Sequence, residues 1–250
     1  MDHPFRAAST RLLAVAAALA LVSACAVLRP PGYEEFKVSL KQDDALQVCD
    51  TLENLIANGN DTRTDRKNAW KWVRERNEDT AAFQYAWASI AGRYVQYKGL
   101  LAANVLPKIE EHAQRSRELD PDFRNGAATR LLGTMYVVAP SSFLEHGDSE
   151  LGLEMLEGLV AKFPDDPENH LRVAEAYITL NDPAPAAPHL CACLAVKDKM
   201  RKDDRKLLVS LFADAGKVEC PGSTPIPVPP PKPAKTGKSK PPKKHLLGNG

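Results

Sequence analysis

The chain has 250 residues, 44% of them hydrophobic, and a formal net charge of +1; that is enough for one domain with a sizeable core or for a short repeat array. The near-neutral total hides unlike parts. Six lysines and no acid follow Cys220, whereas the body from Cys25 to Cys220 carries six more carboxylates than cations. An acidic body argues against nucleic acid, whose recognition needs a basic surface on the folded part.

The chain opens with Arg6, Arg11, an apolar run from Leu12 to Leu21, and then Val22-Ser23-Ala24-Cys25. A charged segment, a short apolar segment and small residues read as an export signal over residues 1–24. The run is shorter than the about 20 residues a membrane-spanning helix requires. The small residues before Cys25 resemble the bacterial lipobox. That resemblance implies that Cys25 is the lipid attachment site, diacylated by diacylglycerol with palmitate-type chains, and the first residue of the mature chain. The protein would then work at a membrane surface outside the cytoplasm. Ala26, where a retention signal would place Asp, implies the inner leaflet of the outer membrane, facing the periplasm.

Residues 25–42, including Arg29-Pro30-Pro31-Gly32, read as a lipid-linked spacer. The span 43–220 reads as one all-helical domain. Asp43-Asp44 marks a helix start; Ala45, Val48, Cys49, Leu52, Leu55 and Ile56 recur at helical spacing, and Asn58-Gly59 marks the stop. No alternating strand pattern stands out.

The body also repeats. Trp87-x-x-Ile90-Ala91-x-x-Tyr94 has the pattern of a tetratricopeptide first helix, and Leu132-Gly133-x-x-Tyr136 and Val173-Ala174-x-x-Tyr177 give its core twice more. The tyrosines are 42 and 41 residues apart, against about 34 in a plain repeat, so the excess belongs in loops. Second helices follow. Gly147, Gly152, Leu156, Leu159 and Pro164 take the expected turn, small, core and closing places in the middle repeat; Asn181, Ala186, Leu190 and Cys193 take matching places in the last. Small residues let paired helices approach, and stacking supplies the core that neither helix makes alone. Lys202 to Ala215, apolar at Leu207, Leu208, Leu211 and Phe212, suits a C-terminal capping helix. The Pro/Lys tail, 221–250, cannot bury a core and reads as polyproline II passing into disorder.

Cys25 aside, Cys49, Cys191, Cys193 and Cys220 remain, an even set that permits three pairings in an oxidising compartment. A final helix folding back antiparallel would bring Cys220 near Cys191 and favours a Cys191–Cys220 disulfide; the competing reading is four buried thiols acting as small apolar residues. His189-x-Cys191-x-Cys193 puts only His189 and Cys193 on one helix face, short of the four ligands of structural zinc, so no metal is expected. No phosphate-cradling loop, nucleophile elbow or His-Glu-x-x-His is present. Glu110-Glu111 and Asp165-Asp166 read as solvated pairs, and Trp70, Trp72 and Trp87 as packing residues. No catalytic residue and no cofactor is expected, and the protein reads as a non-enzyme.

The segment from Phe83 to Leu194 resembles the T-component lipoproteins associated with TRAP transporters. The likeness is carried by Glu118-Leu119-Asp120-Pro121-Asp122-Phe123, Arg130-x-Leu132-Gly133-x-x-Tyr136, Ala139-Pro140, Gly147-Asp148, Phe163-Pro164-Asp165 and Ala174-Glu175-Ala176-Tyr177. It covers under half of the chain. The insert Ser141-Ser142-Phe143-Leu144 lacks the family's Trp-Pro, and the Pro/Lys tail is no family hallmark. The resemblance implies a tetratricopeptide-like lipoprotein that associates with a periplasmic solute-binding protein, with a ring-like homo-oligomer as a possible assembly. In the repeat register Tyr85, Arg130, Thr134, Glu168 and Glu175 face a concave ligand or partner groove, and Arg130 also matches the family's arginine. Its guanidinium suits either a carboxylate on a ligand or partner, or an internal salt bridge. The competing function is a structural scaffold or pilot lipoprotein for envelope assembly or secretion that grips an extended peptide; the fold permits both.

Overall fold

The computed structural model describes residues 30–221. Cys25, the export signal and nearly all of the Pro/Lys tail lie outside them. The described residues are helical, with no strand among them. In chain order the helices are α1 (Tyr33–Ser39), α2 (Ala45–Asn58), α3 (Arg63–Val73), α4 (Ala81–Lys98), α5 (Leu106–Leu119), α6 (Ala127–Val138), α7 (Ser149–Lys162), α8 (Pro167–Thr179), α9 (Ala186–Ala195) and α10 (Lys202–Ala215).

Local chemistry starts these helices where they start. Asp44 accepts a hydrogen bond from the Gln47 amide at 2.9 Å. Thr62 and Asp65 form a reciprocal capping box at α3, and Asp148 and Asp166 cap α7 and α8. Each cap satisfies amides that have no partner inside the helix. The pairs α4–α5, α6–α7 and α8–α9 are the three expected hairpins, and each packs on the next. Their apolar residues form one large core from α1 to α6, a second over α8 to α10, and a small bridge of Val137, Leu156, Val173 and Ala176 between them. Among the described residues no helix is long and apolar enough to cross a membrane.

The middle hairpin shows why the repeat demands small residues. A Cβ on Gly133 would stand 2.8 Å from Leu156 Cγ and 2.9 Å from the Gly152 carbonyl oxygen, and one on Gly152 would stand 2.7 Å from the Gly133 carbonyl oxygen. The two backbones touch, so there is no space for even a methyl group.

Three features differ from the sequence reading. The expected spacer, 25–42, contains α1, whose Phe36 is buried in the first core; the folded body therefore begins before residue 43. Lys202 to Ala215 is helical as expected, yet α10 packs on α2 as well as on α8 and α9, so it joins the last layer to the first. Glu110 is not solvated. It is buried and accepts hydrogen bonds from the Tyr136 hydroxyl at 2.9 Å and from the Glu145 and His146 amides at 2.7 and 2.8 Å, pinning the long α6–α7 loop to α5. Cys191 and Cys220 are bonded, with their Cα atoms 5.4 Å apart; Cys49 and Cys193 are buried free thiols.

Gly133→Ala is expected to lower unfolding free energy by about 1–3 kcal/mol through overpacking. Gly158→Ala on the outer face of α7, where a Cβ meets nothing within 4 Å, is expected to raise it by roughly 0.5–1 kcal/mol through helix propensity. Urea unfolding of the two variants checks the pair of opposite signs.

Candidate functional site

The first helix of each hairpin turns a polar stripe inward. Tyr85, Ser89 and Arg93 follow one another at single-turn spacing on α4, Arg130 and Thr134 on α6, and Glu168, Arg172 and Glu175 on α8. The stripes meet Asp50 and Glu53 from α2 and Arg201 and Asp204 from the start of α10. Together they line a cleft with two chambers, one of about 690 Å³ and one of about 370 Å³. The smaller is the more apolar, with Leu106, Ile109, Leu131 and Met135 in its wall. Glu53, Tyr85, Arg130, Glu168 and Arg201 border both, so the chambers meet there.

All five residues expected at the groove are in this cleft. Tyr85, Arg130 and Glu168 stand at the junction, and Thr134 and Glu175 line the smaller chamber. The Thr134 hydroxyl donates to the Arg130 carbonyl at 2.8 Å, a bond that occupies its proton within its own helix. Tyr85 lies 5.7 Å, ring to ring, from Phe123. Burial pushes its phenol above the ordinary range, so it stays protonated and can donate a hydrogen bond.

Arg130 makes the internal pairing. It donates to Asn169 Oδ1 at 2.7 Å and pairs with Glu168 at 2.8 Å, with Asp166 farther away at 3.8 Å. The two sides of the main pair are unequal, because the Arg130 side chain is 13% exposed and that of Glu168 40%. Glu168 is the member a competing carboxylate could displace. Asn169 is fully buried and its amide nitrogen has no partner.

The residues that sequence reasoning missed are those that close the cleft. Arg93 holds Glu53 with two parallel bonds of 2.6 Å, and Arg201 adds a third at 2.7 Å. Arg201 also pairs with Asp203 at 2.9 Å, and Arg172 bridges Glu175 at 2.8 Å and Asp204 at 3.1 Å. Burial alone would raise the Glu53 carboxyl. The guanidinium of Arg93, helped by that of Arg201, reverses this and holds it at about 2. Asp204 goes the other way, raised chiefly by burial. Arg93 and Arg172 could have been found by continuing the helical spacing from Tyr85 and Glu168. Nothing local announces that Glu53 and Arg201 meet.

Neither Cys49 nor His112 lines the cleft. Burial, with Glu53 nearby, pushes the Cys49 thiol up to about 12, which keeps it protonated and unreactive. Burial likewise lowers His112 to about 4; it is neutral at physiological pH, with its ring stacked 3.8 Å from that of Trp87. Among the described residues no group of three or more His, Cys, Asp or Glu side chains could hold a metal ion. The arrangement can bind, through a few charged groups over an apolar wall, the usual composition of a ligand cleft. No protein-family model matches the chain, and no curated protein is significantly similar to it.

The Glu53 carboxyl, ordinarily near 4.5, is lower in the folded protein. Its stabilisation is therefore fully present above about 4.5 and lost as pH falls from there through about 2. The difference corresponds to roughly 3 kcal/mol. Glu53→Gln is expected to unfold in less urea at neutral pH and to show a shallower loss of stability than wild type across that acid window, as read from urea midpoints at a series of pH values.

Proposed function

We propose that this protein is a lipid-anchored periplasmic component of a transport system, non-enzymatic, which binds a carboxylate carried by a small organic solute or by a periplasmic solute-binding protein of the TRAP type. The lipobox resemblance at Cys25 and the T-component resemblance from Phe83 to Leu194 supply the compartment and the class of partner. One observation carries the binding role: Arg130 stands at the junction of the two chambers, paired with the more exposed Glu168. An incoming carboxylate takes the place of Glu168 on the guanidinium, and the apolar wall of the smaller chamber accepts the hydrocarbon part.

Crosslinking of intact cells that express the lipidated protein, followed by pull-down and mass spectrometry, tests the partner. Recovery of a periplasmic solute-binding protein supports the reading. Recovery of only secretion or outer-membrane assembly proteins sinks it in favour of the scaffold. Two substitutions test the site with opposite signs. Arg130→Ala is expected to weaken the interaction at least tenfold, as loss of a charged hydrogen bond of about 1.5–3 kcal/mol implies. Glu168→Gln removes the internal competitor and is expected to strengthen it. A parallel loss in both variants would point to damaged folding and overturn the displacement mechanism.

A further inference from the structure

At one edge of the molecule, between α4 and α5, two large apolar side chains stand in solvent. Leu100 is 79% exposed and Leu101 88%, the two highest values among the exposed large hydrophobic residues of the described part of the chain. They are held there by an ordered turn. Gly99 ends α4 at φ 60° and ψ −144°, in the positive-φ half of the map that residues with a side chain rarely enter. The chain then makes two short 3₁₀ turns over Gly99–Val105, separated by a kink at Ala102 (φ −123°, ψ 16°), and Ala102 and Ala103 are buried. Two small residues inside and two leucines outside make a knuckle.

The surroundings of the knuckle are those of a bilayer interface. Tyr97 lies just before it, with the Arg63 guanidinium 5.5 Å and the Lys98 ammonium 5.1 Å from its ring centre. Apolar side chains beside tyrosine and cations match the apolar core, polar boundary and anionic headgroups of a membrane in order of depth.

The same edge is where the folded body meets its leader. Asn60 Nδ2 donates to the Pro31 carbonyl at 3.2 Å, Asn60 is three residues from Arg63, and Arg63 covers Tyr97. Cys25 is five residues before Pro30, and a chain of that length reaches at most roughly 17 Å.

We propose that Leu100 and Leu101 insert into the surface of the bilayer in which Cys25 is anchored, so that the body is seated on the membrane in one orientation. The proposal rests on the reading of Cys25 as lipidated. The lipid supplies attachment; the knuckle supplies a second point of contact, and with the anchor it fixes which way the cleft faces.

The test uses the full-length lipoprotein, purified with its acyl chains and reconstituted into vesicles of phosphatidylethanolamine and phosphatidylglycerol. Leu101→Cys carries an environment-sensitive fluorophore, with Glu154→Cys on the exposed face of α7 as reference. The label at 101 is expected to shift to the blue, brighten several-fold and be quenched by nitroxide lipids, while the label at 154 stays water-like. A water-like label at 101 on protein that floats with the vesicles overturns the proposal and leaves the anchor intact. If the N-terminal peptide carries no acyl chain by mass and the protein stays in solution, the anchor reading and the proposal fall together. A blue shift without vesicles that grows with protein concentration assigns the knuckle to contact between copies of the chain, and also overturns it.

Discussion

Glu53 and the two guanidinium groups that hold it set the shape of this protein. A buried carboxylate is costly unless it is paired and fully hydrogen-bonded. Here Arg93 supplies a planar two-point pairing and Arg201 a third bond from a residue 148 positions away. The triad joins α2, α4 and the start of α10, so the final helix returns to the first layer where it could have continued outward. Removal of Glu53 would leave the Arg93 guanidinium without its carboxylate, and removal of Arg93 would leave Glu53 with Arg201 alone. The cleft exists because these helices enclose it, and its walls carry the remaining links of the same charged network, Arg172 to Glu175 and Asp204.

On the proposed function, a cleft whose charges already satisfy one another would bind by exchange. Each pairing that a ligand breaks must be replaced by one at least as good, which lowers affinity and sharpens selection. The pairings are not equally hard to break. Glu53 is 14% exposed and bound by two arginines, whereas Glu168 is 40% exposed and faces Arg130. The network thus contains both a fixed frame and a replaceable partner.

Much of this was legible in the chain. The three hairpins, their small-residue contacts at Gly133 and Gly152, and the last helix follow from helical spacing and stacking, and the five groove residues follow from the repeat register. What was not legible has physical reasons. Helix α3 is polar along most of its length, with Ala69, Trp72 and Val73 its buried apolar residues, so its hydrophobic period is short. Helix α1 has only seven residues and announces itself through one buried aromatic, Phe36. Glu110 looked like half of a solvated acidic pair because its partners, a tyrosine hydroxyl and two loop amides, come from 26 to 36 residues away. The Glu53–Arg201 pairing is more distant still, and depends on how far the superhelix turns over three repeats.

The Cys191–Cys220 bond encloses α10 within its loop, and this has a mechanical consequence. Tension applied to the segment after Cys220 would not run back through α10 and peel it from α2. It would cross the sulfur bridge and enter the body at α9, as load through a bracket bypasses the panel behind it. The layer that closes the cleft is therefore shielded from any pull on the C-terminal tail.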